Sequence, residues 1–266
     1  MRIFVLTKKN IIFYTVIFLA AISIFATRWD SSVYVFNQKG SNPLPIYSVD
    51  KGEEKVCAIS FDAAWGNEDT QELIKILDEY DVKTTFFVVG SWVDKYPDSV
   101  KALYDAGHEI MNHSNSHPHM TQISKEKMIE EIEECDKKIE AVTGQKVNLF
   151  RPPYGDYDAN VIETMTGIDH YTIQWSVDSL DWKDKTPQEI YKRVTDNIHP
   201  GAIVLFHNAA KNTPAALGDI LKTLKEDGYK IVPVSEIIYK DNFIIDHTGK
   251  QIQKNNTKSD ETKKMQ

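Results

Sequence analysis

Between residues 55 and 240, short apolar runs alternate with longer stretches in which apolar positions recur every three or four residues. The runs Val56 to Phe61, Thr84 to Val89, His108 to Met111, Val147 to Phe150, Tyr171 to Val177, Ala202 to Phe206 and Lys230 to Val232 read as strands, being short and apolar. Helical spacing marks the segments near 70–80, 97–106, 124–142, 158–166, 187–197, 213–227 and 234–240. A helix between two strands returns the chain to the same end of the sheet, so the strands run parallel. The expectation is an α/β fold, a deformed (β/α) barrel of about seven βα units, closed or nearly closed and related to the TIM barrel. No fixed-period repeat is visible.

The flanks have a different texture. Ile11 to Ala26 reads IIFYTVIFLAAISIFA without a charge, behind Lys8 and Lys9. A helix over Asn10 to Thr27 would span about 27 Å, just enough for a bilayer core. Residues 1–28 are therefore expected to be a signal anchor, with the basic flank inside and the body outside the cell membrane. Cleavage at the small residues Ala21 and Ser23 is the alternative and would secrete the protein, but bulky Ile24 and Phe25 follow at once. Residues 29–54, with SNPLP in the middle, read as a spacer, and 241–266 as a polar tail that is disordered from Lys250 onward. The domain proper is then 55–240.

With 266 residues, 41% of them hydrophobic, the chain can bury a substantial core. Its net charge is −8, yet the first 28 residues carry four basic and no acidic side chains, and residues 246–266 carry five basic and three acidic ones. The negative charge is thus concentrated between them, which repels phosphate backbones and excludes nucleic acid as a partner. Cys57 and Cys135 are too few for a disulfide framework or a cysteine metal cluster and read as isolated buried thiols. A monomer is expected.

Chemistry in such a barrel sits where strands end. Five strand ends carry polar groups that are costly to bury without a purpose: Asp62, the pair His113 and His117, Arg151, the pair Asp178 and Asp181, and His207. Two histidines four residues apart, on a helical turn or a tight loop, can face one metal ion; a histidine-rich surface loop is the plainer alternative. Two His without Cys suit Zn, Co, Mn or Fe. Asp62 by itself would serve equally as a turn cap, and His207 as a core histidine. Pro152 and Pro153 stiffen the backbone ahead of the Tyr154 amide.

These residues stand in SFDAAWG (60–66), NHSNSHPH (112–119), RPPYG (151–155), VDSLDW (177–182) and VLFHN (204–208). Together and in this order the five motifs resemble the NodB-homology polysaccharide deacetylases, metal-dependent enzymes that remove N-acetyl groups from chitin-like sugars or peptidoglycan. The resemblance covers about residues 50–240. It implies His113 and His117 as ligands of a divalent metal, zinc first, and Asp62 as general base with Arg151 pairing it through a two-pronged hydrogen bond. It implies the Tyr154 amide as oxyanion donor, His207 as general acid oriented by Asp181, and Trp182 and Leu205 as the apolar wall around the acetyl methyl. Asp178 is expected either to orient its loop or to bind sugar, and His119 lies beyond the motif.

One position departs from that pattern. Where the family has a second Asp as third metal ligand, followed by Gly-Pro, this chain has Ala63, Ala64 and Trp65. The missing carboxylate would have to come from Asp62 itself, with water, or from Glu68 or Asp69 folding back. The expected activity is metal-dependent N-deacetylation of cell-wall polysaccharide, such as the N-acetylglucosamine of peptidoglycan. A glycan-binding pseudoenzyme on the same barrel, or an O-acetyl esterase, is the alternative. Which sugar is taken lies in loop shape, which the string does not carry.

Overall fold

The computed structural model describes residues 43–254. The chain enters through β1 (Ser48–Val49) and then runs up β2 (Val56–Ala63), whose eight residues are all buried. Helix α1 (Thr70–Glu79) leads to β3 (Thr85–Val88), and α2 (Gly90–Lys95) with α3 (Pro97–Asp105) leads to β4 (Glu109–Asn112). Helix α4 (Lys125–Thr143) precedes β5 (Leu149–Phe150), and α5 (Ala159–Gly167) precedes β6 (Tyr171–Thr172). Then come β7 (Val177–Asp178), α6 (Pro187–Thr195), β8 (Ile203–His207), α7 (Thr213–Glu226), β9 (Lys230–Ile231) and α8 (Val234–Ile237). Helix limits follow capping chemistry: the Ser124 side chain accepts from Lys127 N at the start of α4, and Gly144, at φ +70°, ends it in the left-handed conformation an L side chain resists.

The main sheet has the order β6-β5-β4-β3-β2-β8-β7, every pairing parallel, with β9 alongside the first residues of β2. It curls into a half-barrel with helices packed around it, as the βα alternation predicts. The core sits on β2, where Phe61 stacks between Phe86 and Phe206 at 4.7 and 5.5 Å. The run 171–177 is not one strand. It divides into β6 and β7, which occupy opposite edges, and the link between them crosses the opening: Ile173 N donates to Phe150 O on β5, and Ser176 N to Ile203 O on β8.

Both flanks are corrected where the structure describes them. The spacer is part of the fold from Ile46 onward, with Ile46 and Val49 buried. The presumed tail contributes β10 (Phe243–Ile245) and β11 (Lys250–Gln253), which form a three-stranded sheet with β1 in the order β1-β11-β10. The polar segment KQIQ pairs because Gln251 is fully buried with both ends of its amide satisfied, accepting from Tyr239 N at 2.8 Å and donating to Tyr239 O at 2.7 Å. Helix α2 was not anticipated, being six residues long and closed by Pro97. The apolar segment 11–26 lies outside the described residues; among the described residues no helix is long and apolar enough to cross a membrane.

Candidate active site

The site is built on β2. Along a strand alternate residues share a face, so Ser60 and Asp62 both look into the half-barrel. The parallel register sets Leu205 beside Ser60 and His207 beside Asp62. On the other side β5 ends at Phe150 and delivers Arg151, which is completely buried. Its Nη1 donates to Asp62 Oδ1 at 2.8 Å, and its Nη2 to Ser60 Oγ at 2.8 Å and Gln174 O at 3.3 Å, while the guanidinium lies 4.1 Å over the Phe87 ring. The two-pronged grip on Asp62 is thus corrected: one prong reaches the carboxylate and the other goes to Ser60, because Asp62 turns its second oxygen elsewhere.

That oxygen, Oδ2, faces His113 Nε2 at 3.5 Å. His113 Nδ1 lies 2.7 Å from Arg151 O, and a carbonyl only accepts, so Nδ1 carries the proton and Nε2 presents its lone pair. Burial pulls the His113 pKa down against the opposing pull of Asp62, so the ring stays neutral. Burial pushes Asp62 upward, but the charge and hydrogen bond of Arg151, with the charge of His207, outweigh it and hold the carboxyl below its ordinary range. Two acceptors therefore face each other, an arrangement that a cation would complete.

His117 stands beside them, its ring 5.0 Å from that of His113. The two histidines lie on a loop rather than a helical turn, with Ser114 and His117 at φ +67° and +62°. Burial depresses the His117 pKa to about 4, and its Nδ1 is buried without a hydrogen-bond partner among the described residues. Helix α4 straps the loop down: Ser116 N and Oγ donate to the buried Glu131 carboxylate at 2.7 and 2.8 Å, and Asn115 Nδ2 to Glu134 Oε2 at 2.8 Å. Lys138 Nζ donates to Asn115 Oδ1 at 2.7 Å.

Two imidazoles and a carboxylate are nitrogen and oxygen donors of the kind that zinc and its first-row neighbours take, and the proton-free His113–Asp62 gap fits such an ion. The set stays open: among the described residues no three His, Cys, Asp or Glu groups converge as a ready metal cage. Ala63 is fully buried. Of the two proposed substitutes, Glu68 has Oε2 committed to Asn67 N at 2.9 Å and Asp69 has Oδ2 committed to Ala209 N at 2.8 Å.

Across the site, His207 ends β8 with Nδ1 2.8 Å from Asp181 Oδ1. Asp181 is saturated, accepting also from Trp182 N at 2.9 Å, His207 N at 2.8 Å and Thr213 Oγ1 at 2.7 Å. Burial lowers the His207 pKa, but the hydrogen bond and charge of Asp181 override it, so the net shift is upward and favours the imidazolium. Leu205 is buried on the same face, whereas Trp182 is 57% exposed. Asp178 orients its turn, accepting from Leu180 N at 2.8 Å.

Tyr154 follows the two prolines at φ +61° with its ring 61% exposed, 4.5 Å from His117 and stacked on His119 at 4.2 Å. Ser114, His117, Tyr154, Leu180 and Ala209 are all non-glycine residues at positive φ beside the site. Each costs of order 1 kcal/mol, strain that accumulates where function fixes the geometry.

Sequence reasoning missed Ser60, Thr213 and Glu131. Ser60 was signalled by its place two residues before Asp62, on the same face of a strand. The other two are brought in by tertiary packing from residues 32 and 15 positions away from their partners.

Residues 50–173 match the family described as Polysaccharide deacetylase. PdaA of Bacillus subtilis, a peptidoglycan-N-acetylmuramic acid deacetylase, is 31% identical over 192 residues, covering 71% of this chain and 73% of PdaA. PgdA of Listeria monocytogenes, a peptidoglycan-N-acetylglucosamine deacetylase, is 36% identical over 183 residues, which is 69% of this chain but 39% of PgdA. The chain spans 61% of a further relative, YlxY of Bacillus subtilis. Among solved structures, BA3943 of Bacillus anthracis, a CE4 family pseudoenzyme, superposes with a TM-score of 0.70 at 37% identity over 76% of this chain and 70% of that one. A mutant of BA3943 is described as having restored enzymatic activity. The motifs, the half-barrel and these likenesses agree, and the chain belongs to the polysaccharide deacetylases.

Proposed function

We propose that the protein hydrolyses N-acetyl groups of cell-wall glycan, with the N-acetylglucosamine of peptidoglycan as substrate, in a metal-dependent reaction. The observation that carries this reading is the juxtaposition on neighbouring strands of an ionised Asp62 gripped by Arg151 and a His207 whose proton is held by Asp181. That is one base and one acid side by side at the ends of adjacent strands, as amide hydrolysis requires.

A divalent ion held by His113, His117 and Asp62, zinc being the first candidate, would polarise the acetamide carbonyl and acidify water. Asp62 takes the proton of the attacking water through Oδ2, the oxygen that Arg151 leaves free. The Tyr154 amide donates to the carbonyl oxygen as negative charge grows there. His207, kept protonated by Asp181, passes its proton to the sugar nitrogen as the C–N bond breaks, so acetate and a free amine leave. Leu205 and Trp182 shield the methyl and exclude water. With alanine at position 63, Asp62 would serve both as a ligand of such an ion and as the base. The charge-free segment 11–26 behind Lys8 and Lys9 supports an action outside the cell membrane.

The test is acetate release from purified peptidoglycan, with mass spectrometry of the sugars, after chelation and after return of single divalent metals. Metal-restored loss of acetyl groups from N-acetylglucosamine is expected. Binding of glycan with no acetate under any metal would leave the pseudoenzyme reading in its place, and acetate from O-acetylated xylan alone would leave the esterase.

A further inference from the structure

Among the described residues three large apolar side chains are exposed, Trp65 at 65%, Tyr154 at 61% and Trp182 at 57%, and all three stand at the mouth of this one site. Solvent-exposed aromatics gathered around a single cleft mark a binding surface rather than leftover core. Two of them already have one face occupied: Tyr154 is stacked on His119, and Lys183 Nζ sits 4.7 Å over the Trp182 ring. Trp65 is different. Its ring meets only the edge-on imidazole of His117, at 5.1 Å and 67°, and among the described residues neither a cation nor a stacked ring covers it.

The backbone beneath that exposed indole is held from several sides. Asn208 Nδ2 donates to Trp65 O at 2.8 Å and Gly66 O at 2.9 Å, while Asn208 Oδ1 accepts from Ala64 N at 3.2 Å. Trp92 Nε1 adds a bond to Gly66 O at 2.5 Å. Gly66 itself takes φ +60°, and a Cβ there would fall 2.4 Å from Glu68 Oε2 and 2.9 Å from the Ala209 Cβ, so the turn is specified for glycine. A fixed main chain presenting a free indole is a preorganised platform, which spends little entropy when a ligand settles on it.

We propose that Trp65 is a stacking platform for a sugar ring next to the reacting one, and that it makes the site selective for glycan chains over single sugars. The inference rests on the deacetylase reading for the position of the reacting sugar. The chemistry is general: one face of a pyranose is a sheet of C–H bonds, which matches the negative face of an indole. Because Trp65 and Tyr154 flank the same imidazole, a ring resting on Trp65 belongs to a residue adjoining the acetamide over His113 and His117.

The experiment uses the full chain and N-acetylglucosamine oligomers of two to six units. Acetate release gives kcat/KM for each length, and titration calorimetry gives binding independently of turnover. In the wild type kcat/KM rises with length. In Trp65→Ala the gain with length collapses, by about tenfold or more on the longest oligomer and chiefly through KM, while Trp65→Phe keeps most of it. Thermal melting establishes that both variants fold, as expected for so exposed a side chain. Length dependence and oligomer affinity equal to wild type in Trp65→Ala would overturn the platform and leave the deacetylase reading standing. Trp65-dependent binding without acetate release would do the reverse, and no oligomer binding by the wild type would overturn both.

Discussion

His113 Nε2 stands 3.5 Å from Asp62 Oδ2 with both atoms acting as acceptors, because the ring's proton is committed to Arg151 O on its other nitrogen. A lone pair opposite a carboxylate is repulsive until something positive joins them. Chelated protein should therefore take up one divalent ion and melt higher in its presence, by an amount set by concentration over Kd. His113→Ala should weaken that uptake by at least about 10- to 100-fold with an unchanged circular dichroism spectrum. Equal calorimetric affinity in the variant would remove this pair from the ion's site.

His207→Ala removes the proton donor for the leaving amine but no ligand. Acetate release should fall about 10²- to 10⁴-fold while metal content by atomic spectroscopy stays at the wild-type level. Loss of bound metal would instead place His207 in the coordination sphere.

Ala63→Asp sets a carboxylate at a fully buried position. Without a cation an unpaired buried charge is costly, so the variant should melt below the wild type in chelator. Metal should reverse the order, with affinity tighter by about 10- to 100-fold and Asp62 relieved of its second duty. A folded variant whose affinity does not change would show that position 63 faces away from the ion.

His108 lies outside this chemistry and contributes to acid sensitivity. It is 2% exposed, and burial, with the charge of Lys83 added and that of Asp78 opposing, lowers its pKa to about 4. The unfolded chain, with an ordinary histidine near 6.5, binds the proton first, so stability falls as pH drops from about 6.5 towards 4. The loss attributable to this residue reaches about 3 kcal/mol at the lower end. The urea midpoint of the wild type should fall more steeply as the pH drops from about 6.5 to 4 than that of His108→Gln, which has no group to titrate there. Parallel curves would assign the acid sensitivity elsewhere.

The order of strands and helices was legible because each element is short and separated by a change of period, from two or continuous apolar to three and four. What was not legible has physical causes. The division of 171–177 into two edge strands depends on which partner each backbone amide meets, Phe150 O for Ile173 and Ile203 O for Ser176, and no side-chain pattern encodes that. Strand β11 looked like tail because the burial of Gln251 is made possible by Tyr239, twelve residues earlier. At the site, ionisable residues at strand exits were conspicuous, being expensive to bury. The second prong of Arg151 was misassigned because a serine two residues before an aspartate carries no such expense and draws no attention.

The strap from α4 to the 114–117 loop has a consequence for how the centre is assembled. Glu131, Glu134 and Lys138 hold Asn115 and Ser116 through side-chain hydrogen bonds that involve no ion. The histidine loop thus draws its shape from a neighbouring helix. A change on α4 therefore reaches His117 without touching it, because the helix sets the path of the loop on which that histidine stands.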